Sequence, residues 1–448
     1  MKKTDVLVIG GSAAGFVAAA TAKVNNPDKH VLLYRKEDIV MIPCGIPYIF
    51  GTTKESGKNV LPDAPLKNAG VEVIIGEIES IDCNERQCKS ESGELISFDK
   101  LIIACGSTPY TPGWLEGSQL DNVFVIPKNK VYLDQFKKKI ENLEEIVVVG
   151  AGFIGVELAD ELVKGNKKVT LIEKMPQVLP AAFDSEIAED AESKLIERGI
   201  QVMKGVGVKK LDGQNSVEKI ILDNGAEIKA DAVVLSMGYR PNTELAEKCN
   251  LKINDLGFIQ VDEYMRTGVP GVFAIGDCAE KRDFFTRKLS STMLASTACA
   301  EARIAAMNLY SLSILKTFSG TIAIYSTAIG ETSYSTAGLT ESQASSEGYQ
   351  IATGIFEGVD KHPGCLPNAH KQKVKVIASK ECGTVLGVEI IGGISGGELI
   401  NVAGLAIQNK MTLASLLSTQ IGTHPLLTGS PAGYPLIKAV EAAWKNCK

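Results

Sequence analysis

At 448 residues the chain is too long for one ordinary domain and predicts two or three. An apolar fraction of 45%, aromatics of only 6% and 43 glycines fit an α/β protein, and a net charge of -6 gives no reason to expect nucleic acid. No apolar run reaches membrane-spanning length, and the ten cysteines, scattered without a dense framework or an export signal, point to reduced thiols in a cytoplasmic protein.

In chain order, residues 5–9 predict a buried strand, 12–23 an Ala-rich helix and 31–34 the next strand, together one βαβ unit. Its loop is Gly10-Gly11-Ser12-Ala13-Ala14-Gly15. The chain turns tightly at Gly10, and N–H groups at the helix start can receive a pyrophosphate, although Ser12 takes the second glycine position. Where an acid would hold ribose hydroxyls at the end of the next strand stands Arg35, with Glu37 the nearest substitute. The run Met41-Ile42-Pro43-Cys44-Gly45-Ile46-Pro47-Tyr48 follows, too irregular for a core strand. Cys44 reads either as a small buried hydrophobe or as a nucleophile. A helix opening at residue 45 would lower its pKa through aligned amide dipoles. Positions 39 and 49 are both isoleucine, so Cys44 lacks a partner cysteine at close spacing.

Residues 71–103 alternate apolar and polar types and predict a β-meander ending in a strand at 101–104. Cys83 and Cys88 flank one of its turns and read as a hairpin coincidence. After a crossover at Pro109, Pro112 and Gly113 the βαβ pattern recurs, with strands at 146–149 and 168–173 around a helix at 152–164. The second loop, Gly150-Ala151-Gly152-Phe153-Ile154-Gly155, has all its glycines, and Glu173 ends the following strand. A carboxylate there accepts from an adenosine ribose and repels a 2′-phosphate, favouring NADH over NADPH, with Lys174 softening that repulsion. The unit closes near residues 237–242.

Residues 267–277 give a strand ending in Gly276-Asp277. Asp277 reads as a turn residue or as an acceptor for the polyol hydroxyls of a cofactor, and the strand before it favours the second. A helix over 292–310 comes next, and beyond residue 320 strands at 373–378 and 385–391 with a helix at 397–408 predict a third, α+β domain. His424 and Tyr434 fall in a turn-rich loop, each a proton donor or a structural residue. His30 and His370 read as solvated, Cys105, Cys278 and Cys299 as packing residues, and no Cys/His cluster has metal-ligand spacing.

Taken together, these segments resemble the flavoprotein pyridine nucleotide-disulfide oxidoreductases over the full length and in family order. The first loop, residues 43–48, Ala104-Cys105-Gly106, the second loop, residues 238–242 and residues 267–277 carry the likeness. The resemblance implies two Rossmann-like domains, for FAD (1–113 with 245–320) and for NAD(P)H (114–244), and a C-terminal dimerisation domain (321–448). It implies FAD contacts at Gly10, Ser12, Ala13, Ala14, Gly15, Arg35, Pro43, Cys44, Ile78, Ala104, Cys105, Gly106, Gly276, Asp277, Ala295 and Thr297. For the nicotinamide nucleotide it implies Gly150, Gly152, Phe153, Ile154, Gly155, Glu157, Glu173 and Gly238.

Within the family the chain looks like the single-cysteine branch of coenzyme A-disulfide reductases, polysulfide or persulfide reductases, and NADH oxidases and peroxidases. The resemblance implies electrons passing from NADH, with NADPH the alternative donor, through FAD to sulfur at Cys44. The acceptor is then polysulfide, a persulfide or coenzyme A disulfide. Oxidases and peroxidases carry a histidine where this chain has Ala13, and the disulfide reductases typically read Ser-Phe-x-Asn-Cys where it has Met41-Ile42-Pro43-Cys44. A small sulfur acceptor is the first reading. An oxidase cycling Cys44 through a sulfenate is the second, and a flavin subunit feeding a protein partner the third. A homodimer is implied, with His424 or Tyr434 of one subunit completing the other's site.

Overall fold

Three sheets organise the computed structural model, which describes residues 1–315 and 317–447. In the first, the parallel strands Glu72–Ile75, Val31–Arg35, Lys2–Ile9 and Leu95–Ile103 run in that order, and Val272–Ala274 pairs on the far side of the last. Val6, Val8, Leu33 and Ile102 point to one face, against the helices Ala13–Asn25 and Ala295–Met307. Those helices pack closely on each other over this face, and Ala18, Ala19, Ala22, Ala302 and Ala305 share its core, their short side chains permitting close approach. Leu7, Ile9, Leu32 and Ile103 point to the other face, as the twofold period of a strand requires.

The predicted meander is only partly present. Ile78–Asp82, Gln87–Ser90 and Leu95–Ile103 form it, but Glu72–Ile75 lies parallel to Val31–Arg35 at the sheet edge. Gly76 breaks the run, its N–H tied to the Arg35 carbonyl, so the first segment belongs to the parallel ladder.

The second sheet is parallel throughout, ordered Gln201–Lys204, Lys168–Glu173, Glu145–Val149, Ala232–Leu235 and Val123–Val125. It is an excursion from the first: Ser107–Pro109, where the chain leaves, pairs with Tyr239–Pro241, where it returns. The third sheet is antiparallel, ordered Tyr325–Ile329, Thr332–Gly338, Val385–Gly392, Lys371–Ser379 and Ile351–Val359, with the helices Gly396–Gln408 and Pro435–Cys447 packed on it.

Lys375 of the third sheet reaches Asp184, Glu186 and Glu341. Among the described residues these carboxylates alone have metal-like spacing, and the Lys375 ammonium already supplies their cation. No helix among the described residues is long and apolar enough to cross a membrane.

Candidate active site

Both glycine loops become backbone cradles. Gly10 stands at φ +107° and Gly150 at +101°. A β-carbon on Gly10 would lie 2.1 Å from the Ala104 carbonyl oxygen, and one on Gly15 or Gly155 would lie 1.9 Å from the carbonyl oxygen of Gly10 or Gly150. The helices Ala13–Asn25 and Phe153–Lys164 begin without a side-chain cap or an acid in the first turn, so their first N–H groups are left for an anion. This donor set fits the pyrophosphate of a dinucleotide at each loop.

Arg35 is buried and its guanidinium is committed to protein. It makes two hydrogen bonds to Asp63, at 2.6 and 2.9 Å, and donates to the Glu37 and Asp38 carbonyls at 2.9 and 2.8 Å. Its methylenes fill the space beside Gly11. Arg35 therefore pins the first loop from beneath. Ile78 opens its strand in the apolar core of the same sheet.

Asp277 follows the strand Val272–Ala274 on a short turn, Gly276–Cys278. Its Oδ2 accepts from Ser107 Oγ at 2.7 Å and Lys128 Nζ at 2.8 Å. Burial alone would raise this carboxyl, but Lys128 and Ser107 outweigh it and hold the pKa below its ordinary value. Beneath the turn, fully buried Glu301 accepts from Gly276 N at 2.8 Å, while Lys281 donates to the Gly276 and Ala279 carbonyls. Burial pushes Glu301 up to about 7. Lys128 and Glu301 carry no signal in the sequence, because each is recruited from a distant part of the chain, whereas Lys281 turns back on residues just before it.

Ala104 abuts Gly10 and Gly15, and Asn242 clamps the next two residues, donating to the carbonyls of Cys105 (2.9 Å) and Gly106 (2.9 Å). Ala295 opens the helix Ala295–Met307, Thr297 Oγ1 lies 3.1 Å from Thr321 Oγ1, and Cys299 Sγ lies 3.9 Å from the Ala13 carbonyl oxygen. That helix therefore meets the first loop at Ala13–Ala14.

Cys44 lies in the 3₁₀ turn Pro43–Gly45, followed by another at Pro47–Ile49. No α-helix opens at residue 45, and two single turns align too few peptides to build a useful dipole. The thiol is solvent-exposed but set among protein groups. Burial first, then the Glu157 carboxylate, raises its pKa, while Lys128 opposes and Asp277 and Cys299 add to the rise. The expected lowering by a helix is thus overturned. Asn59 holds the segment, donating to the Ile42 carbonyl at 2.9 Å, and its side chain occupies the space where Gly45 lacks a β-carbon.

Glu157 accepts from Thr327 Oγ1 of the third sheet at 2.9 Å, and burial pushes it up to about 7. It also raises the Tyr48 phenol, after burial. Lys128, Glu157 and Asp277 therefore act together on one thiol, that of Cys44.

The second loop opens into a cleft of about 860 Å³ lined by Gly150, Gly152, Phe153, Glu173, Lys174, Gly238 and Trp114. Glu173 accepts from the Ala151 and Met175 N–H groups at 2.7 and 2.8 Å, which fixes the carboxylate at the cleft wall. Phe153 stacks on Tyr325, with centroids 4.7 Å apart, and Ile154 packs against the core. His424 is exposed, its Nδ1 accepting from Leu426 N at 3.2 Å, and Tyr434 packs on the C-terminal core. Within one chain neither is hydrogen-bonded to the Cys44 group among the described residues. His30 and His370, expected to be simply solvated, pair with Glu72 and Asp360.

Residues 4–302 match the family model for the pyridine nucleotide-disulphide oxidoreductases, and residues 324–432 match that for their dimerisation domain. An NAD(P)H sulfur oxidoreductase (CoA-dependent) of Pyrococcus abyssi is 31% identical over 88% of this chain and 88% of its own. An NADH oxidase of Methanocaldococcus jannaschii is 30% identical over 98% of each. The solved NAD-dependent persulfide reductase from A. fulgidus superposes with a TM-score of 0.90 at 30% identity, covering 98% of this chain and 83% of that one.

Proposed function

The chain belongs to the pyridine nucleotide-disulphide oxidoreductases, and from that premise we propose that this FAD-dependent NAD(P)H oxidoreductase reduces a small sulfur acceptor at Cys44. The observation that carries the reading is one exposed thiol, Cys44, under the joint influence of Glu157, Lys128 and Asp277. When bound, FAD takes a hydride from the nicotinamide and returns two electrons to sulfur.

Gly10, Ser12, Ala13, Ala14 and Gly15 hold the FAD pyrophosphate through backbone N–H groups, and Asp277, kept anionic by Lys128, accepts from the ribityl hydroxyls. Glu173, fixed by its two backbone donors, accepts from the adenosine ribose in the second cleft and favours NADH. Lys128 supports the Cys44 thiolate. That thiolate attacks one sulfur of an S–S bond, joins it as a mixed disulfide or persulfide, and expels the other sulfur as thiolate or hydrosulfide. Two electrons supplied by a flavin bound at the first loop then cleave the new bond, restoring the Cys44 thiolate and releasing the attached sulfur as a second thiolate or hydrosulfide. Relatives named for coenzyme A dependence support coenzyme A as a carrier of the acceptor sulfur.

The dimerisation domain implies a homodimer. Leu405, Leu426 and Leu427 are exposed on it at 61%, 52% and 70%, an apolar surface suited to a second subunit. Leu426 and Leu427 adjoin His424, so this face is suited to bring His424 or Tyr434 of one subunit to the thiol of the other as proton donor.

Cys44→Ser should retain FAD and its reduction by NADH but lose turnover with polysulfide and coenzyme A disulfide by at least a hundredfold. Unchanged polysulfide turnover refutes the role. A second reading, oxygen reduction through a Cys44 sulfenate, draws on the relatives named NADH oxidase. Oxygen consumption exceeding polysulfide reduction under equal NADH would favour it.

A further inference from the structure

Five of the ten cysteines share one hydrophobic cluster on the face of the first sheet opposite the Ala13–Asn25 helix: Cys83, Cys88, Cys105, Cys249 and Cys278. Cys88 and Cys278 are buried, and burial raises the pKa of both, as it does that of Cys105. Cys83 and Cys249 differ from these three in acting chiefly on each other: each thiol is the leading influence on the other's pKa, and the helix Glu244–Lys248 packs on the strand Ile78–Asp82.

Cys83 stands in the turn after the strand Ile78–Asp82, and Cys249 caps the short helix Glu244–Lys248. Ala246 and Leu245 of that helix pack into the same cluster, and Cys249 Sγ lies 3.3 Å from the Ala246 carbonyl oxygen. Apolar packing on both sides thus holds the sulfurs together. The neighbouring Cys249 thiol lowers the Cys83 pKa, outweighing burial and the nearby Asp82 charge, while Cys83 and burial raise that of Cys249. Cys83 is accordingly the thiol that ionises first.

We propose that Cys83 and Cys249 form a second, reversible thiol pair, separate from Cys44, which small S–S oxidants close into a disulfide. With inorganic polysulfide as oxidant, the Cys83 thiolate attacks one sulfur of the chain, breaks an S–S bond and releases the remainder as a shorter sulfide anion. Cys249 then gives its proton to water and attacks the Cys83 sulfur, expelling the attached fragment as a second sulfide anion. Two thiols lose two electrons, and one S–S bond of the polysulfide gains them. The whole second sheet lies between these cysteines in sequence. The disulfide would therefore bolt the segment before that excursion to the segment after it, closing a long loop and restricting the unfolded chain.

Holoprotein carrying Cys44→Ser makes the test independent of turnover. It is reduced, freed of reductant without air, exposed to inorganic polysulfide without nicotinamide, then capped with N-ethylmaleimide and mapped by non-reducing peptide mass spectrometry. The expected result is a Cys83–Cys249 linked peptide in most of the protein, reopened by dithiothreitol and lost in Cys83→Ser and in Cys249→Ser. The oxidised protein should also unfold at a higher temperature than the reduced one, a difference that Cys249→Ser abolishes. Maleimide on both positions after polysulfide, or a Cys83–Cys88 link in place of the expected one, overturns the proposal. A link that leaves the unfolding temperature unmoved overturns the bolting role.

Discussion

The two glycine loops share one backbone and diverge in what closes it. Their first glycines sit at φ +107° and +101°, and their last admit the same carbonyl approach. The middle residue differs, Ser12 against Gly152, yet each is the extended N-cap of its helix at φ -80° and -73°. Serine is therefore tolerated there. The strand ends differ more. Arg35 is buried against Asp63 and the carbonyls of residues 37 and 38, whereas Glu173 stands at the wall of an open cleft. A pinned loop suits a cofactor that stays, and an open one suits a donor that comes and goes.

The harshest way to break the comparison is Gly10→Ala, which drives a methyl into the Ala104 carbonyl. It should cost about 3 kcal/mol or more and yield protein without flavin, read from absorbance and unfolding. Gly152→Ala, where a β-carbon meets nothing within 4 Å, should fold normally and lose only affinity for NADH. Arg35→Ala leaves Asp63 without its partner and should destabilise the first loop by about 3 kcal/mol, lowering flavin retention while the KM for NADH stays unchanged.

Glu173→Ala should do the reverse, raising the KM for NADH about tenfold, one lost charged hydrogen bond to ribose, and narrowing the gap to NADPH. Flavin content should not move.

Glu157→Gln gives the smallest change and joins the two loops at Cys44. Glu157 titrates near pH 7, and above that its charge opposes the Cys44 thiolate. Removing the charge should lower the thiol's pKa, so that the rate of Cys44 alkylation rises at lower pH than in the parent. An unshifted profile would separate Glu157 from the thiol.

Much of this molecule was legible in the chain. The strand Lys168–Glu173 and the helix Phe153–Lys164 lie where the apolar pattern and glycine spacing put them, within one residue. Such patterns report on burial by neighbours near in sequence, so they survive being read in one dimension. The meander was misjudged at Glu72–Ile75, because alternation does not say which neighbour a half-buried strand will pair with. The Cys44 pKa was misjudged for a related reason. Its turn is local, but Glu157, Lys128 and Asp277 arrive from other parts of the chain.

The sequence by itself determined two glycine loops in βαβ units, a lone cysteine in an irregular proline-flanked segment and a third α+β domain, since each depends on residue type at short spacing. Tertiary structure alone decided that Arg35 serves Asp63, that Lys128 keeps Asp277 anionic, and that Cys83 meets Cys249. Charge and thiol pairing act over a few ångströms of space, and only folding brings residues so far apart in the chain within that reach.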